Sequence, residues 1–301
     1  MSALDKLVLS SLPHVPRPVV WRVAKRYVAG ETLASAIERL GELARRGHPG
    51  VIDVLGEEVN GEHAAREVVR EYQTAADAVV AARLDAYVSV KPTHVGLRTS
   101  EQLALTLYGE LARYCKSRGL FLRVEMEDHT TTDATLRIFE ALRKEHDNVG
   151  IVLQSRLLRT PDDIARLAPG KLSVRMVKGI YLEPAEIAHT GADEIREAYV
   201  RCVRQLLARG AYVSLATHDR GLGASCIELV RSRGLSREAY EFQVLLGVLE
   251  PLWSEWHSGG HTVRVYVPFG PQWLPYSLRR LRKNPEMLRH VMRAALGLGA
   301  R

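Results

Sequence analysis

From residue 51 onward one unit repeats along the chain: a short apolar stretch, a polar turn, then a segment whose apolar residues recur at helical spacing. The predicted strands are Val51–Leu55, Ala86–Lys91, Leu120–Met126, Val149–Leu153, Leu172–Lys178, Tyr212–Thr217, Glu241–Leu245 and Val263–Pro268. Segments such as EHAAREVVREYQTAADAVVAARL and SEQLALTLYGELARYCKSRG lie between them. Strands that alternate with helices pair in parallel, because each crossover to a parallel neighbour needs a connection as long as a helix. Eight such units predict an α/β chain closed into a (βα)8 barrel, with an open doubly wound sheet as the second architecture. Residues 1–48 read as a helical segment capping the bottom of the barrel, and 49–301 as the barrel itself. The tail PEMLRHVMRAALGLGAR reads as one more helix.

With 301 residues, 46% of them hydrophobic and 26% charged, the composition is that of a globular chain. The net charge of +7 comes from arginines interspersed with acids, as in RVAKRYVAGETLASAIERLGELARR, which reads as a solvated surface. No nucleic-acid-binding pattern accompanies it, so no nucleic-acid partner is expected. Cys115, Cys202 and Cys226 are odd in number, form no C-x-x-C pair and sit in helical stretches, which fits buried thiols in a reducing compartment. No apolar run approaches the roughly 20 residues of a spanning helix, and the start has no signal-peptide layout.

In a barrel of this kind chemistry gathers where the strands end. Those ends carry Asp53 and Glu57, Lys91, Glu125 with Glu127 and Asp128, Gln154, Arg175 with Lys178, Thr217 with His218 and Asp219, Gln243, and Tyr266. Polar residues commonly follow strands, which accounts for Asp128 and Asp219. Lys91, Arg175 and Gln243 lie within apolar runs (YVSVKP, LSVRMVKG, EFQVLLG), and a charge there is costly unless it meets a partner or a ligand. Beyond the last strand, Tyr276, Arg279 and Arg280 share one helical face. Their spacing suits a carboxylate clamp, and equally a solvated basic helix continuing into Arg282 and Lys283.

Several chemistries lack their residues. There is no phosphate loop, no H-E-x-x-H and no G-x-S-x-G; Gly221 and Gly223 lack a third glycine and read as a helix start. His218 beside Asp219 is a weak basis for a metal site. The residues alone reach a barrel enzyme with a mixed cationic and acidic pocket for an anionic ligand.

Taken together, the motifs resemble those of the proline dehydrogenase family in its short monofunctional form. The matching stretches are DVLGEEV, SVKPT, RVEMED, GIVLQS, VRMVKGIYLEP, LATHD, YEFQVLLGV and RVYVPFGPQWLPYSLRR, in family order from Asp53 to Arg280. The resemblance implies a distorted (βα)8 TIM-type barrel holding FAD non-covalently. It implies that Arg279 and Arg280 clamp a substrate carboxylate with Lys91 as third cation, that Tyr266 and Tyr276 pack around the substrate ring, and that Leu245 forms an apolar wall. Glu125 and Arg175 would act at the reacting centre, with Arg175 near flavin N5. Met126, Gln154, Lys178, Gly179, Ile180, Tyr181, Thr217, His218 and Gln243 would line FAD, and Glu57 would pair with Arg279 and close the pocket. The implied reaction is oxidation of L-proline to 1-pyrroline-5-carboxylate by hydride transfer to FAD, in the cytoplasm, with electrons passed to a quinone and a peripheral membrane contact.

Three positions depart from the family's usual residues: Glu125 replaces an aspartate, Ile180 an alanine and Lys283 a glutamate. The first lengthens a carboxylate by one methylene, the second adds bulk that would overpack a closed pocket, and the third reverses a charge. They keep open a relative acting on another secondary amino acid or a hydrazine-like substrate. A non-catalytic barrel that binds its ligand without turnover is the reading from another class.

Overall fold

The computed structural model describes residues 17–283, apart from the side chains of Val19, Val23 and residues 279–283; the tail helix read from the sequence lies outside the described residues. Eight parallel strands pair in chain order and the eighth returns to the first, closing the barrel. They are β1 (Gly50–Val54), β2 (Ala86–Val90), β3 (Leu122–Val124), β4 (Val149–Gln154), β5 (Ser173–Val177), β6 (Tyr212–Ala216), β7 (Tyr240–Leu245) and β8 (Val263–Phe269). The open-sheet alternative is excluded by the β1–β8 pairing, which runs from Gly50↔Val265 to Val54↔Phe269.

The helices follow the strands: α1 (Arg17–Ala24), α2 (Leu33–Arg45), α3 (Glu62–Ala81), α4 (Glu101–Ser117), α5 (His129–Glu145), α6 (Thr160–Arg166), α7 (Ala192–Ala208), α8 (Arg220–Ser232), α9 (Glu250–Ser258) and α10 (Trp273–Lys283). Outward-facing Ile52, Val88, Leu122, Ile151, Val213 and Val265 are buried beneath the helices, which is where the apolar core sits. Asp128 and Asp219 serve as helix caps, accepting the amides of Thr130 (2.9 Å) and Leu222 (3.1 Å). Cys115, Cys202 and Cys226 are buried free thiols, and burial pushes the first and third up to about 12.

Of the N-terminal segment, α1 and α2 lie among the described residues, and α2 packs on the flank of the barrel against β8 and β1. The Ala29 amide reaches Pro268 O at 2.9 Å near the top, whereas His48 Nδ1 meets Val263 O at 3.1 Å near the bottom. The physical reason lies in α10, which leaves the flank of β8 and packs on α1, so α2 supplies the outer layer there. Trp21 and Trp273 meet edge to face at 4.7 Å, and the Trp273 indole N–H donates to Glu31 at 2.5 Å. The segment therefore holds the start of the helix that carries Tyr276, Arg279 and Arg280.

Candidate active site

Alternate residues of a barrel strand point to its axis. Here the inward set is largely polar: Asp53, Tyr87, Ser89, Arg123, Gln154, Arg175, Ser214, Glu241, Gln243, Arg264 and Tyr266 follow one parity, with Val51 and Val152 among them, through the registers Ser89↔Arg123, Val152↔Arg175, Ser214↔Glu241 and Gln243↔Arg264. Charges on this axis are dear unless paired, and the sequence-predicted residues find their partners there. Arg175 Nη1 meets Glu125 Oε1 at 2.5 Å, its Nε meets Gln243 Oε1 at 2.5 Å, and its guanidinium carbon lies 5.2 Å from the Tyr266 ring centroid. Ser89 Oγ also donates to Glu125. Burial raises the Glu125 carboxyl, but Arg175, the Ser89 hydrogen bond and Lys91 outweigh it and hold it below the ordinary value. Lys91 Nζ lies 3.1 Å from the fully buried Asp53, which also accepts from Tyr72 at 3.1 Å. Burial disfavours the Lys91 charge, yet Asp53 and Glu125 together raise its pKa.

The structure thus brings Lys91, Glu125, Arg175, Gln243 and Tyr266 together at the axis. Leu245 and Tyr276 are half-buried, on the end of β7 and on α10. Arg279 and Arg280 lie on α10 one turn beyond Tyr276; their side chains, and that of Lys283, are outside the described residues. Glu57, on the loop after β1, is half-buried and close enough to Glu127 to raise its pKa, a shift dominated by burial of Glu127.

On the β4–β6 side the remaining candidates form a second group. Gln154 donates to Glu127 O at 2.6 Å, directly after buried Met126. Gly179 has φ +99, a conformation that favours glycine, and a Cβ there would stand 2.9 Å from Gln154 Oε1. Lys178 pairs with Asp219 at 2.6 Å, and buried Thr217 accepts the Asp219 amide at 3.1 Å. His218 Nε2 accepts the Leu245 amide at 2.8 Å, which places the proton of the neutral ring on Nδ1. Ile180 is 64% exposed, Leu182 87%, and Tyr181 is half-buried between them. The chemistry of this set, with a glycine-built backbone turn, hydrogen-bonding amide and hydroxyl groups and uncovered apolar side chains, fits a flat ring system carrying a polar tail. Among the described residues no group of three or more His, Cys, Asp or Glu gathers as metal ligands do.

Overpacking by Ile180 is the expectation from sequence; at 64% exposure its added carbons are not enclosed by the protein. Ile180→Ala is therefore expected to leave stability within about 0.5 kcal/mol of the parent. A thermal melt checks this, and a rise of several degrees would reveal crowding instead. Strand-end reasoning passes over Tyr87, Ser89 and Glu241, which partner the residues it finds, and over Arg123 and Arg264; their shared parity with Gln243, Glu125 and Tyr266 is the signal that identifies them.

A (βα)8 barrel with paired cations and carboxylates at its mouth defines an enzyme for a small charged substrate. The family model described as proline dehydrogenase matches residues 36–293. The chain is 36% identical over 298 residues to the proline dehydrogenase of Deinococcus radiodurans, covering 96% of each. It is 32% identical over 273 residues to proline dehydrogenase 1 of Bacillus subtilis strain 168, covering 91% of this chain and 90% of the relative. The chain belongs to the proline dehydrogenase family, oxidoreductases acting on the secondary amine of proline. Its fold is also that of proline utilization A from Bdellovibrio bacteriovorus inactivated by N-propargylglycine, with TM-score 0.80 and 22% identity over 89% of this chain. The chain spans 33% of that longer protein.

Proposed function

We propose that the chain binds FAD non-covalently and oxidises L-proline to 1-pyrroline-5-carboxylate, with electrons passed on to a quinone. The observation that carries this reading is the convergence of Arg175, Glu125, Lys91 and Tyr266 on the barrel axis beside the Gly179 turn. Met126, Gln154, Lys178, Gly179, Ile180, Tyr181, Thr217, His218 and Gln243 would hold the cofactor. When bound, the flavin supplies a hydride acceptor. The chain's own residues do the rest. Arg279, Arg280 and Lys91 orient the substrate carboxylate, and Tyr266, Tyr276 and Leu245 enclose its ring. Arg175 provides positive charge where negative charge develops, held in place by Glu125 and Gln243 so that little reorganisation is needed during the reaction. Glu57 closes the pocket through Arg279.

The reading places the protein in the cytoplasm with a peripheral contact to a quinone-bearing membrane. Among the described residues no helix is long and apolar enough to cross one. Glu125 and Ile180 favour, as second reading, a different secondary amine. One experiment tests both. Purified protein should be yellow and release FAD on heating or acidification, and anaerobic L-proline should bleach it. Colourless protein that takes up no added FAD overturns the proposal. Bound FAD bleached by hydroxyproline, pipecolate or sarcosine but not by proline selects the second reading, and bound FAD bleached by none of them indicates a ligand-binding barrel.

A further inference from the structure

The lower half of the barrel is charged as well as its mouth, and the reaction proposed above does not use those charges. Below Arg175, Gln243 Nε2 donates to Glu241 Oε1 at 2.5 Å and to the Tyr87 hydroxyl at 2.6 Å. Glu241 also accepts Ser214 Oγ at 3.1 Å and Arg264 Nε at 2.9 Å. Arg123 lies in the same region, 1% exposed, bonded to the carbonyls of Ile151 (3.2 Å) and Ser173 (2.7 Å) and to Ser173 Oγ (3.1 Å). It passes over Gly150, where a Cβ would stand 2.4 Å from its Nη1. No carboxylate among the described residues is within ion-pair distance of it.

Barrel interiors are ordinarily filled by branched apolar side chains. This one holds four cations, the guanidiniums of Arg123, Arg175 and Arg264 and the ammonium of Lys91, against three carboxylates, Asp53, Glu125 and Glu241. Asp85 also reaches Arg264 at 3.0 Å, but it is 76% exposed and screened by water. One positive charge is left over where screening is weak. We infer that this surplus is a tuning device for the reduced cofactor: Glu241 and Arg264 are positioning residues that set, through Gln243 and Arg175, how readily the flavin holds electrons. The inference rests on the FAD reading above. A hydride carries one proton and two electrons from the substrate, so the ring that takes it gains one negative charge, which the positive surplus stabilises. One charge changed at roughly 10 Å, with an effective dielectric constant of about 20, shifts such an equilibrium about tenfold.

The test is the flavin midpoint potential, measured by slow reduction with xanthine and xanthine oxidase against a reference dye. Tenfold corresponds to about 30 mV for a two-electron couple. Glu241→Gln adds to the surplus and should raise the potential by about that amount. Arg264→Gln removes it and should lower the potential similarly, and Arg123→Gln has the same expected sign should Arg264→Gln not fold. The double variant Glu241→Gln/Arg264→Gln should return to the parent value, and Tyr87→Phe, which changes no formal charge, should stay near it. Damage to packing would move the variants in one common direction. FAD-bound variants whose potentials share a direction, or do not move, overturn the inference alone. Failure to bind FAD in the parent protein overturns the function reading beneath it.

Discussion

Arg175→Met is expected to slow flavin reduction by proline about a hundredfold and to destabilise the protein by about 3–5 kcal/mol. The two effects have separate causes. Arg175 is 4% exposed and is bonded to Glu125 and Gln243, both at 2.5 Å. Removing it leaves the Glu125 carboxylate near the axis without its guanidinium, and breaking a buried pair from one side costs far more than the intact pair contributes. On the proposed function the rate falls because the Arg175 charge is gone, whatever becomes of the fold. The double variant Arg175→Met/Glu125→Gln separates them: it should regain most of the lost stability in a calorimetric melt yet remain slow in anaerobic stopped-flow. A double variant that regains both would show that Arg175 matters only as the partner of Glu125. Unchanged reduction by Arg175→Met would remove it from the reaction altogether.

The barrel was legible because two periodicities, that of the strand and that of the helix, alternate without interruption from Val51 onward. The strand ends were harder. Leu120–Met126 reads as one strand, but the strand is only Leu122–Val124. Leu120 closes the turn after α4 by donating to Cys115 O at 2.8 Å, and Glu125–Asp128 leads into a helix cap. Of the site, Lys91, Arg175 and Gln243 stood out because a charge or amide inside an apolar run needs an explanation. Asp53 and Tyr87 stood out less, since an aspartate near a strand end and a tyrosine within a strand are both ordinary until their partners are known. The partners are remote in sequence: Tyr87 receives its hydrogen bond from Gln243, and Leu245 gives one to His218. Local propensity carries no trace of such pairs. The course of α2 along the flank had the same obscurity, because an amphipathic helix states that it packs, not on which face of the barrel.

Arg279→Met and Arg280→Met are each expected to weaken substrate binding by about 1.5–3 kcal/mol, roughly ten- to more than a hundredfold in Kd. Position on the fold supports this. Both residues follow Tyr276 on α10, the helix whose first residue, Trp273, is 2% exposed and is held by Trp21 and Glu31. A helix anchored in this way at its start presents its next turn in one orientation, which a clamp of two planar guanidiniums requires and a solvated basic helix does not. Lys91 alone, already paired with Asp53 at 3.1 Å, is poorly placed to balance a substrate carboxylate. Losing either arginine should raise KM steeply, and a fall in kcat as well would indicate that the substrate ring no longer sits over its acceptor. Steady-state kinetics with L-proline, together with the FAD content of each purified variant, separates a lost clamp from a lost cofactor. Kinetic constants unchanged in both variants would show that the helix face meets only solvent.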